Sequence, residues 1–162
     1  MSDKNNGDDI AKVMEDDILE LFDGELKETA LKFAAYLNVS QLTPKQDGPT
    51  DWKIPYKECH LCMIQLEPNS WRFTFFFGDY SGEFDKIFIT AVQNHIKFCN
   101  RCNDGCIFGK DAAIFGKEYQ NVCSQLTIQF ENPNTKILEH IKVLIEYSKK
   151  NAPHNVSWHA HN

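Results

Sequence analysis

Residues 51–78 read DWKIPYKECHLCMIQLEPNSWRFTFFFG, and the fold class follows from how this run alternates. In 51–57 Trp52, Ile54 and Tyr56 fall on one face of an extended chain, since side chains alternate with period 2. Pro55 has no N–H to give a ladder, so this strand belongs at a sheet edge or carries a bulge. The continuous apolar run 59–66 predicts a central strand. After a PNS turn at 68–70, Trp71, Phe73, Phe75 and Phe77 point one way and Arg72 and Thr74 the other. Connections this short permit only an antiparallel meander.

Helical spacing flanks the meander. Ile10, Val13, Met14, Ile18 and Leu21 predict a first short helix, interrupted by Gly24. Leu26, Ala30, Phe33 and Leu37 predict a second, with Asp23 in the N-cap position. The segment TPKQDGPT (43–50) reads as a loop. After the meander, Phe84, Ile87, Phe88, Ala91, His95 and Phe98 form one apolar helical stripe. Strands are expected at 112–116 and 124–130. A last helix follows, with Asn132 or Asn134 as its cap and Ile137, Leu138, Ile141, Leu144, Ile145 and Ser148 on one face. The resulting order is α-α-β-β-β-α-β-β-α. It defines an α+β fold, an antiparallel sheet of about five strands with helices packed on one face.

The chain has 162 residues and a formal net charge of −6, and the charge is unevenly placed. Residues 1–25 hold nine of the 23 acids and two of the 17 bases, leaving 14 acids against 15 bases in the rest. The expected organisation is an acidic N-terminal segment (1–22), partly disordered or a short helix, a single α+β domain (23–150), and a C-terminal tail (151–162). A nearly neutral body lacks the basic stripe of a nucleic-acid surface, so no nucleic-acid partner is expected. No apolar run approaches the length of a membrane span, and the polar start MSDKNNGDD has no signal-peptide core, so a cytoplasmic protein with no membrane partner is expected. Nothing in the sequence sets an oligomeric state. No Walker loop, G-x-S-x-G or H-E-x-x-H occurs, and no catalytic residue can be assigned; the readings favour a protein that is not an enzyme.

Four of the six cysteines, Cys99, Cys102, Cys106 and Cys123, are spaced C-x2-C-x3-C-x16-C. Four thiolates meet the ligand count of a structural Zn²⁺. In a reducing compartment a cysteine cluster points to metal or catalysis before disulfides. Asn100, Arg101, Asn103, Asp104 and Gly105 make a poor core environment for buried thiols. His95, four residues before Cys99, is a substitute ligand if the helix continues through both. Reduced buried thiols, a redox centre and another metal remain open beside zinc. Cys59 and Cys62 are also C-x2-C, but positions three apart in a strand face opposite ways, which makes them core residues. A second candidate is an aromatic pocket for a small-molecule ligand, lined by Trp52, Tyr56, Trp71, Phe73 and Phe75 between sheet and helix.

The run from DWKIPYKECHLCMIQL through C-x2-C-x3-C, IFGKEYQNVC and FENPNTKILEHIKVLIE resembles small uncharacterised cytoplasmic proteins of clostridia and related gut bacteria. The resemblance covers about residues 30–150. Its most specific element is FGKEYQNVC after the three clustered cysteines, here Gly116, Lys117, Tyr119 and Cys123. It implies that the four cysteines form one feature, and it carries no activity. The element order is also similar to small α+β domains that serve as iron chaperones or as ligand-binding domains of bacterial regulators, an analogy of fold alone.

Overall fold

The computed structural model describes residues 13–76, 80–100 and 108–151. Phe77, Cys102, Cys106 and the tail beyond residue 151 therefore lie outside the described residues.

The meander forms as the alternation requires. Strands β1 (Lys45–Gln46), β2 (Asp51–Tyr56), β3 (Cys59–Glu67), β4 (Ser70–Phe75) and a later strand, β7 (Ile128–Glu131), make a five-stranded antiparallel sheet in the order β1-β2-β3-β4-β7. The apolar run thus sits in the centre, and the β2–β3 register shifts between Lys53 and Pro55, where the proline breaks the ladder. Part of the expected 43–50 loop is ordered as β1, which pairs with Lys53 and Trp52.

Helices α1 (Met14–Leu21), α2 (Gly24–Val39) and α4 (Thr135–Asn151) supply the apolar side chains that meet the sheet. Trp52, Trp71, Phe73, Phe75 and Phe130 are buried from the sheet, with Met14, Ile18, Phe33, Leu37, Ile141 and Leu144 from the helices. Each such side chain contributes about 1.5–3 kcal/mol by leaving water. Phe33 meets Phe73 edge-on at 5.1 Å and Trp71 at 5.9 Å, the geometry that ring quadrupoles favour. The acidic helix α1 belongs to this core. Its Asp17 is 3% exposed and accepts a 2.8 Å hydrogen bond from Trp52 Nε1. Asn134 Oδ1 caps α4 by accepting from the Ile137 N–H at 2.9 Å. Asn132 instead exchanges two bonds with the backbone of Trp71 and ends β7 at φ 46°. Asp23 stands at the N-cap of α2, but its side chain makes no capping bond.

The region after the meander departs from the expectation in two places. Helix α3 (Lys86–Gln93) stops after eight residues instead of running to Phe98. Beyond Asn94 the chain is extended: Ile96 bridges Ile128, and Phe98 bridges Val122. Period alone could not show that these residues have bridge partners; the Lys97 and Cys99 N–H groups donate to the carbonyls of Thr127 and Asn121, the residues just before those partners. Ile87 and Phe98, expected inside the stripe, are 66% and 51% exposed. Second, the expected strand at 112–116 is half of a hairpin, β5 (Lys110–Ile114) and β6 (Lys117–Val122), which forms a separate two-stranded ribbon. The α+β class and the expected order of elements hold, with β1 and β6 added. Residues 95–99 link the main sheet, through β7, to the ribbon, through β6.

The ribbon turns at Phe115–Gly116, both at positive φ (47° and 84°), as a two-residue hairpin of right-handed twist requires. A phenylalanine is costly there and is held by its surroundings. Its ring packs against Tyr80, Phe84, Phe88 and Tyr147, and its N–H donates to the Tyr80 carbonyl at 2.8 Å.

Candidate metal centre

The two described cysteines of the cluster lie on opposing segments where the linking segment joins the ribbon. The Cys99 N–H donates to the Asn121 carbonyl and the Cys123 N–H to the Lys97 carbonyl, both at 2.8 Å. These bonds frame the Phe98–Val122 bridge, so the two cysteines stand one residue to either side of it on opposing segments. Both are half-buried reduced thiols. Twenty-four positions apart in sequence, they are brought to one end of the fold.

Both ends of the intervening segment converge there too. Asn121 sits in the left-handed region (φ 61°), which asparagine tolerates, and its side-chain amide donates to the Cys99 carbonyl at 2.9 Å. Gly109 packs so closely that an added Cβ would lie 2.7 Å from Cys99 Cβ and 2.9 Å from the Asn121 carbonyl carbon. Only glycine lets the returning chain pass at that distance.

After Cys123 the chain folds back on it. The Leu126 N–H donates to Cys123 Sγ at 3.3 Å, and Thr127 Oγ1 donates to the Cys123 carbonyl at 3.0 Å. This turn is why the expected strand at 124–130 begins only at Ile128.

His95 is placed differently from the expectation. The helix ends before it, so His95 and Cys99 do not share a helix face. His95 Nδ1 donates to the Ala91 carbonyl at 2.7 Å, and the ring lies 4.5 Å from that of Phe130. Among the described residues no group of three or more His, Cys, Asp or Glu side chains is arranged to hold a metal ion, so His95 does not complete a site with Cys99 and Cys123.

The other candidate residues are packed into the core. Trp52, Trp71, Phe73 and Phe75 are at most 1% exposed and are buried with the helix side chains, while Tyr56 is half-buried at the end of β2. Cys62 is fully buried beside Ile64 and Leu66, and burial pushes its thiol far above the ordinary range. The Cys59 thiol is also raised by burial and lies 3.1 Å from the Tyr56 carbonyl. Sequence reasoning missed Gly109, Asn121 and Leu126. Only the position of Gly109 just after the cysteine run offered a signal.

No helix among the described residues is long and apolar enough to cross a membrane. No family model, no curated protein and no solved structure matches the chain.

Proposed function

We propose that the chain is a non-enzymatic binding or sensing protein whose cysteine segment is closed by a structural Zn²⁺ held by Cys99, Cys102, Cys106 and Cys123. The observation that carries this reading is the placement of Cys99 and Cys123 across one bridged pair of segments, at the point where the chain leaves and re-enters the 100–108 stretch. Cys102 is three residues from Cys99, and Cys106 three from Gly109. Three residues of chain can span at most about 11 Å, so the short links in sequence do not prevent Cys102 and Cys106 from joining the other two thiols. The Leu126 N–H supplies the outer interaction that orients a thiolate ligand. The ion would contribute rigidity. An all-thiolate set with no open position suits a structural site better than a hydrolytic one. Reduced cysteines also fit a cytoplasmic setting.

Cobalt substitution tests the ligand set. Metal-free protein titrated with Co²⁺ should develop thiolate-to-metal charge transfer and the intense visible bands of a tetrahedral ion, saturating at one ion per chain. Cys123→Ser should weaken both. A pale octahedral spectrum, or one unchanged in Cys123→Ser, contradicts the proposed site.

A further inference from the structure

Independently of the metal centre, an open groove of about 300 Å³ runs along α4, lined by Tyr36, Phe84, Val143 and Tyr147 together with two acids, Glu139 and Glu146, and two lysines, Lys142 and Lys150. Its volume lies at the lower bound for small-molecule sites. Three of its walls are aromatic rings, and Val143 is 40% exposed within it.

The charges are matched unevenly. Lys142 Nζ pairs with Glu139 at 2.8 Å and lies 5.2 Å from the Tyr36 ring centroid. Glu146 accepts from Tyr36 OH at 3.2 Å and pairs with Lys149 at 3.5 Å. Both carboxylates at the groove therefore have partners, and so does one lysine. Lys150 has no carboxylate partner among the described residues. An aromatic trough with one uncompensated ammonium complements a flat apolar body carrying a single negative charge.

We propose that this groove binds an aromatic monocarboxylate, its ring against Phe84, Val143 and Tyr147 and its carboxylate on Lys150. The aromatic pocket expected between sheet and helix would then lie along the outer side of α4, where Tyr36 and Phe84 are half-buried.

The test is a titration of the full chain with 1-naphthylacetate, followed by amide chemical shifts, beside its uncharged amide, 1-naphthylacetamide. The acid should bind with a Kd at or below about 1 mM, as a ligand of this size can. Shifts should centre on Phe84 and residues 143–150. The amide and the Lys150→Gln variant should each weaken binding about three- to fivefold, the range of an exposed ion pair. Salt at about 0.5 M should bring acid and amide together. Val143→Glu, which places a like charge in the trough, should abolish binding of the acid. Equal affinity for acid and amide, an unaffected Lys150→Gln variant, shifts confined to another face, or no binding below about 10 mM would each overturn the proposal.

Discussion

Cys99 and Asn121 are joined twice: the Cys99 N–H donates to the Asn121 carbonyl at 2.8 Å, and the Asn121 side-chain amide donates to the Cys99 carbonyl at 2.9 Å. This reciprocal pair fixes the spacing of the linking segment and β6, and with it the relation of Cys99 to Cys123. Gly109 then presses against both partners.

Gly109→Ala should break that arrangement. The new methyl would meet the Asn121 side-chain oxygen first, and behind it the Cys99 Cβ and the Asn121 carbonyl carbon, neither of which is the movable end of a side chain. Overpacking of this kind costs about 1–3 kcal/mol. The variant should unfold at lower denaturant and bind Co²⁺ more weakly. Unchanged stability and unchanged metal affinity would show that the close approach does not organise the centre.

The Asp17–Trp52 hydrogen bond should anchor α1. Asp17→Ala leaves a buried indole N–H without an acceptor, at a cost of about 1–3 kcal/mol. Asp17→Asn keeps an acceptor oxygen and should recover much of it. Urea unfolding of the two variants checks this, and equal stabilities would refute the role given to the bond.

Tyr36 should titrate late. Burial, then the Glu146 carboxylate, hold its phenol up to about 12 from an ordinary 10.0. Because the folded value is raised, the associated stability is fully present below pH 10.0 and is lost as pH rises towards about 12. Wild-type protein should therefore lose stability across that interval faster than Tyr36→Phe. Tyr80, also raised by burial, titrates in both proteins and cancels in the comparison. Absorbance of tyrosinate against pH, with denaturation at each point, measures it; parallel curves would contradict the assignment.

The meander was legible because each strand is short, alternates cleanly and is joined by a turn that fixes its partner. Pro55 even marked its own irregularity. The stretch from Phe84 to Phe98 was not, because its apolar residues satisfy a helical period while Ile96 and Phe98 have bridge partners 32 and 24 residues downstream, at Ile128 and Val122. Long-range pairing leaves no trace in local spacing. The hairpin was half-hidden for another reason. Its β6 strand, KEYQNV, buries only Val122 and leaves most other positions exposed, so it lacks the alternation that announces a strand. Of the candidate centre, Cys99 and Cys123 were readable as one feature from spacing. The roles of Gly109, Asn121 and the Leu126 N–H depend on tertiary contact alone.

The most direct test of the zinc reading is the metal content of the intact chain, purified without an affinity tag and without chelator. A tight structural site should be nearly filled, so elemental analysis should return about one zinc per chain, falling sharply in Cys99→Ser and Cys123→Ser. Less than about 0.3 equivalents of any metal, with Cys99, Cys102, Cys106 and Cys123 all reacting readily in the native protein, would contradict it.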